Sequence, residues 1–120
     1  MIRIKLLRNK DKKIISFSCS GHSFYKKRGE DIICAGVSAI LQTALLGLSE
    51  YLNLKLDVKK KDGFLEVKLC SPPPKEALSI LETMRLGIYG ICEKYPGYIE
   101  IVEKREEGAP CKELLANLKD

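Results

Sequence analysis

The chain has 120 residues, 45% hydrophobic and 31% charged, a balance that fits one globular domain and excludes a disordered segment. Its net charge of +5 and pI near 8.9 are too small an excess for a dedicated nucleic-acid module, though they suit work near RNA or acidic surfaces. A chain of this length buries roughly two-thirds of its unfolded surface, enough for one core.

Met1 to Arg8 alternates, with Ile2, Ile4 and Leu6 on one face, and predicts a strand. After the polar turn Asn9-Lys10-Asp11, Lys12 to Ser20 alternates again, with Ile15, Phe17 and Cys19 on one face. Two such runs around a short turn predict a β-hairpin. Gly21 to Gly29 is a polar loop. Asp31 then caps a helix running to about Leu52. Ile32 to Ser49 carries no charge over about 18 residues, near the lower limit for a membrane span. Ser38, Gln42, Thr43 and two glycines interrupt it, so a buried helix is the better reading and no membrane partner is expected. A helix apolar nearly all round needs more cover than one sheet face gives, which predicts a homodimer. Leu54, Leu56 and Val58 make a third strand, Lys61-Asp62-Gly63 a hairpin turn, and Phe64 to Cys70 a fourth strand with Leu65, Val67 and Leu69 inward. Ser71-Pro72-Pro73-Pro74 stops the sheet. A second helix from Pro74 to Lys94 draws its apolar positions from Leu78, Leu81, Met84, Leu86, Ile88 and Ile91. Pro96-Gly97 ends it, and Tyr98 to Lys104 makes a fifth strand. The expected fold is an α+β two-layer domain over residues 1–107. It has a mainly antiparallel sheet and two long helices in the order ββαββαβ. A tail over 108–120 carries a short helix with Leu114, Leu115 and Leu118 as its stripe.

Five cysteines, Cys19, Cys34, Cys70, Cys92 and Cys111, form no C-x-x-C pair. The amino-terminal alternation lacks the apolar run of a signal peptide, so reduced thiols in the cytoplasm are expected.

The chemistry concentrates around His22, the single histidine, and Cys34. With Asp31 as N-cap, Cys34 falls in the first helical turn, where unpaired N–H groups and the helix dipole favour a thiolate. Eleven residues separate it from His22, a loop whose ends can meet at modest entropic cost. Thiol and imidazole together are the nucleophile and base of a cysteine hydrolase. Asp31 is either the helix cap or a third group that orients the imidazole. The free N–H groups of the helix start are candidates for an oxyanion hole, and Ser23 to Arg28 for a lid over a bound peptide. The competing readings are ordinary. A cysteine at a helix start is often apolar filler, and a lone histidine often a cap. A metal site on Cys19, His22 and Cys34 lacks a fourth ligand other than Asp31, so neither metal nor cofactor is expected. The runs Lys26-Lys27-Arg28 and Lys59-Lys60-Lys61 read as solvated turns. Their functional alternative is a non-catalytic domain bound to ribosome or RNA, with no DNA partner.

Gly21-His22, Gly29-x-Asp31-x-x-Cys34-Ala35 and Val37-Ser38-Ala39 together resemble the ribosomal-processing cysteine protease (Prp) family. The likeness runs to about Lys104. It implies a small, typically dimeric α/β protein of bacteria that removes the amino-terminal extension of large-subunit ribosomal protein number twenty-seven. By position it implies Cys34 as nucleophile, His22 as base and Asp31 as a supporting acid. Gly21, Gly29 and Ser38 would shape structure or substrate. Two features depart from the pattern: Ser23 stands where alanine is common, and the tail from about Gly108 is longer.

Overall fold

A computed structural model describes residues 1–22 and 31–106. Five strands and two helices follow the chain as β1 (Ile2–Arg8), β2 (Ile14–Ser20), α1 (Ile32–Leu46), β3 (Leu56–Lys61), β4 (Phe64–Leu69), α2 (Lys75–Lys94) and β5 (Ile99–Arg105). They form one sheet in the order β3-β4-β2-β1-β5. All pairs are antiparallel except β1 with β5, which run parallel with Ile2 opposite Ile99. The expected tail helix and Cys111 lie outside the described residues, as do Gly29 and the candidate lid.

The β1–β2 turn is built by Asn9, whose Oδ1 accepts from the N–H groups of Asp11 and Lys13 at 2.9 and 3.0 Å. The side chain thereby stands in for backbone partners. Alternation places Ile2, Ile4 and Leu6 in the core, but β2 departs from it. The register jumps from Leu7 opposite Ser16 to Arg8 opposite Ile14, leaving Ile15 as the extra residue of a β-bulge. A bulge flips the alternation, so Ile14 rather than the expected Ile15 joins Phe17 in the core cluster.

Asp31 caps α1 through one carboxylate oxygen, Oδ1, which accepts from the N–H groups of Ile33 and Cys34, both at 3.0 Å. The buried stripe Ile33, Val37, Leu41 and Ala44 turns toward the sheet. The helix continues as a π-helical turn over Gly47–Tyr51, where the Leu52 N–H reaches the Gly47 carbonyl at 3.0 Å. The whole run Ile32–Tyr51, of mean hydropathy 1.9, is long and apolar enough to cross a membrane. Here it forms half of the helical layer. α2 lies antiparallel beside it, and small residues let the two approach. A Cβ on Gly36 would stand 3.2 Å from Ile91, one on Gly87 3.2 Å from Ile40, and one on Gly47 3.1 Å from Ile80. Leu81, Met84 and Ile88 complete the core, whereas Leu86, expected among the apolar positions, is 63% exposed. The Lys59-Lys60-Lys61 run lies on β3, an edge strand of the sheet, where exposed charge discourages edge-to-edge pairing.

Candidate active site

Three segments meet at the end of the sheet where β1 begins. The end of β2 brings Cys19, Gly21 and His22. The first turns of α1 bring Cys34, Val37, Ser38, Leu41 and Gln42. The β3–β4 hairpin brings residues 60–65. Together with Ile2 they line a cleft of about 540 Å³, a size suited to a few residues of an extended peptide.

Gly21 makes the turn out of β2. Its φ is +89°, and a Cβ there would stand 2.4 Å from the Met1 carbonyl oxygen, so only glycine fits. Its N–H donates to the Gly63 carbonyl at 3.0 Å, tying the strand end to the hairpin turn. His22 follows directly, half-buried in the cleft wall. Cys34, also half-buried, faces the same cleft from the helix start. The imidazole and thiol expected to work together are thus brought to one cavity, with Gly21 and Ser38 beside them.

Asp31 behaves differently. It is buried, and it is not among the described residues that line the cleft. Its Oδ1 is engaged in capping the helix. That geometry supplies the cap reading of Asp31 with two hydrogen bonds. The Ile33 and Cys34 N–H groups, two of those at the helix start expected to serve an oxyanion hole, donate to Asp31 in this structure.

Cys19 is a second thiol in the same cleft. Burial pushes it up to about 11, and the neighbouring Cys34 adds to the shift. At neutral pH Cys19 is therefore a thiol and a poor nucleophile. Among the described residues no three His, Cys, Asp or Glu side chains converge as a metal-ligating group.

The hairpin residues Lys60, Lys61, Asp62, Gly63 and Phe64 were missed as site residues. The sequence marks Lys61-Asp62-Gly63 as a turn but carries no sign of which end of the sheet that turn reaches. Lys60 Nζ donates to Gln42 Oε1 across the cleft rim at 3.3 Å, and Lys61 stands 5.6 Å from the centre of the Phe64 ring.

Residues 1–100 match the family described as Cysteine protease Prp. The chain is 31% identical over 99 residues to the ribosomal processing cysteine protease Prp of Staphylococcus aureus, covering 79% of this chain and 92% of that one. It is 42% identical over 67 residues to the Prp of Bacillus subtilis, covering 53% and 59%. The fold is similar to that of the S. aureus Prp crystallised with a covalently linked product peptide, with a TM-score of 0.82 and 27% identity over 87% of this chain and all of that one. The same enzyme with a substrate peptide gives a TM-score of 0.77 at 26% identity, again over 87% and 100%. With a cleft that holds thiol and imidazole in a fold shared with peptide-bound relatives, the chain belongs to the Prp family of cysteine proteases.

Proposed function

We propose that this protein removes the amino-terminal extension of bacterial large-subunit ribosomal protein number twenty-seven, with Cys34 as nucleophile and His22 as general base. The observation that carries the reading is the shared cleft: His22 and Cys34 line it together, in a fold similar to that of a relative crystallised with its substrate peptide. Of the two thiols there, Cys19 is disqualified at neutral pH by its raised pKa, which leaves Cys34.

His22 takes the Cys34 proton, and the sulfur attacks the scissile carbonyl to form a tetrahedral adduct. The imidazolium returns that proton to the leaving amine as the C–N bond breaks. Water, deprotonated by the same imidazole, then hydrolyses the thioester and regenerates the thiol. Asp31 supports this by fixing the first turn of α1, from which Cys34 projects. Gly21 shapes the backbone that presents the base, and Ser38 contacts the peptide from the second turn of the helix.

The working form is a homodimer in the cytoplasm, close to the ribosome. An apolar groove of about 670 Å³ between α1 and α2, lined by Ile40, Ala44, Ile80 and Met84 among others, supports the dimer. So does the exposure of Ile32, Leu46, Tyr51 and Leu86, an apolar surface of the kind that marks an interface.

The test is mass spectrometry of the ribosomal protein's amino-terminal peptide after incubation with the wild-type chain and with Cys34→Ala. A single cut by the wild type alone is expected. Equal cutting by both overturns Cys34 as nucleophile. No cutting by either folded protein points to another substrate, or to a ribosome-binding role whose affinity falls with salt.

A further inference from the structure

We propose that Gly63, at the tip of the β3–β4 hairpin, is a positioning residue for the general base. Its missing side chain is the space into which the His22 imidazole fits. The proposal rests on the reading of His22 as base.

Two contacts couple the hairpin to the histidine. The first is steric. A Cβ built on Gly63 would stand 3.1 Å from His22 Nε2, 3.7 Å from Cε1 and 3.8 Å from Cδ2. The Nε2 edge of the ring therefore fills the space beside Gly63 that a side chain would need, since a Cβ there would sit closer to the ring than an ordinary van der Waals contact. The second is the backbone bond from the Gly21 N–H to the Gly63 carbonyl at 3.0 Å. One glycine thus fixes the backbone just before His22 and also receives its ring. The backbone leading to the ring is held by that bond and passes close to the Met1 carbonyl, from which a Cβ on Gly21 would stand only 2.4 Å. A methyl group at position 63 has to be accommodated by turning or displacing the imidazole itself.

Backbone conformation alone does not explain the glycine. Gly63 has φ +71°, but Lys12 and Asn53 occupy similar positive angles, +66° and +54°, with full side chains. The fold tolerates a Cβ in that region of φ where there is room for one. Gly97 supplies the control, with φ +93° and nothing within 4 Å of its built Cβ. Alanine at 63 and at 97 therefore brings comparable backbone strain, and only at 63 does it meet the imidazole.

Displacing a base by a fraction of an ångström costs turnover more than binding, since a misplacement of about 1 Å is worth about 100-fold. We expect Gly63→Ala to lower kcat for the ribosomal protein precursor by about tenfold or more, with KM little changed and Gly97→Ala close to wild type. Alkylation of Cys34 by iodoacetamide at pH 7 gives a readout independent of substrate, and it should slow in His22→Ala and in Gly63→Ala but not in Gly97→Ala. A Gly63→Ala variant that matches Gly97→Ala in kcat and in alkylation overturns the proposal. If His22→Ala itself leaves both rates unchanged, the reading of His22 as base fails instead, and the two failures are distinct. Should Gly63→Ala fold poorly, the double variant decides. Removing the imidazole in His22→Ala must then recover the part of the denaturant-midpoint loss at 63 that exceeds the loss in Gly97→Ala, and absence of that coupling overturns the proposal.

Discussion

At its carboxyl end β1 delivers Arg8 into a knot of ions; at its amino end it delivers Ile2 into the wall of the cleft. Around Arg8 the charges satisfy one another. Its Nε donates to Glu103 at 3.0 Å and a terminal nitrogen donates to Glu82 at 2.6 Å. Arg85 and Tyr89 of α2 also donate to Glu103, at 3.1 and 2.6 Å. Burial by itself would raise the Glu103 carboxyl, but the bonds from Tyr89, Arg8 and Arg85 outweigh it and hold that carboxyl below the usual range. The Tyr89–Glu103 bond raises the Tyr89 phenol, and the bond to Glu82 does most to raise the Arg8 guanidinium. The cluster joins β1, β5 and α2. At the cleft end the wall is largely apolar, with Ile2, Val37, Leu41, Phe64 and Leu65 around two thiols and an imidazole. One end of the strand ties charge into structure. The other places reactive groups where a peptide can exclude water from them. Stability and turnover should therefore separate when the two ends are altered.

The largest contrast comes from truncating each end in turn. Cys34→Ala should abolish cleavage, by about 10⁴-fold or more, while shifting stability by no more than about 1 kcal/mol. Arg8→Ala should cost roughly 2 kcal/mol at most, because Glu82 and Glu103 lose the nearer of the two arginines they share while Arg85 remains, and leave kcat/KM of the folded fraction within about twofold of wild type. Denaturant melts and precursor-cleavage kinetics on both variants check the pair. A large loss of kcat/KM in folded Arg8→Ala would mean that the two ends are coupled through β1.

The same contrast separates what was legible in the sequence from what was not. Ile2, Ile4 and Leu6 announce β1 by alternation, because a half-buried strand has a period of two. Asp31 announces the start of α1, because a cap is a local hydrogen-bonding event. His22 and Cys34 stood out through residue type and through that cap. The bulge at Ile15 was invisible, since a single extra residue looks like two equally good alternations until the partner strand fixes the register. The π-helical turn at Gly47–Tyr51 continues the apolar pattern of α1 and had no sequence sign of its own. The ion knot was equally hidden, because Arg8 is 95 residues from Glu103 and 74 from Glu82. The cleft's third wall, the hairpin with Gly63, was recognised as a turn but not as part of the site, since its nearness to His22 is tertiary.

Acid should act at the ion knot. The Glu103 carboxyl is lower in the folded chain than its ordinary value of 4.5. Its contribution is therefore complete above about pH 5 and is lost as pH falls through the folded value. Being partly solvated, it is worth on the order of 1 kcal/mol or less. Wild-type stability should fall more steeply below pH 4.5 than that of Glu103→Gln, which has no charge there to lose. Parallel curves for the two proteins would show that the knot contributes nothing through ionisation.

Alkali should act at the other end, through Cys19. Here the shift has the opposite sense, because burial favours the neutral thiol and the folded chain deprotonates only near 11. The unfolded chain releases that proton from about pH 8.5 upward. The stabilisation is thus full below that pH and fades as pH rises toward the folded value, an effect of about 1 kcal/mol after allowance for partial exposure. Stability measured from pH 8 to 10.5 should decline in the wild type and decline less in Cys19→Ala, once each curve is referred to its own value at pH 8. Iodoacetamide near pH 8 should modify Cys34 while leaving Cys19 unreacted, because a thiol held near 11 offers too little thiolate. Prompt modification of Cys19 in the folded protein would mean that its wall of the cleft is open to water. The choice between the two thiols as nucleophile would then rest on the place of Cys34 in the first turn of α1.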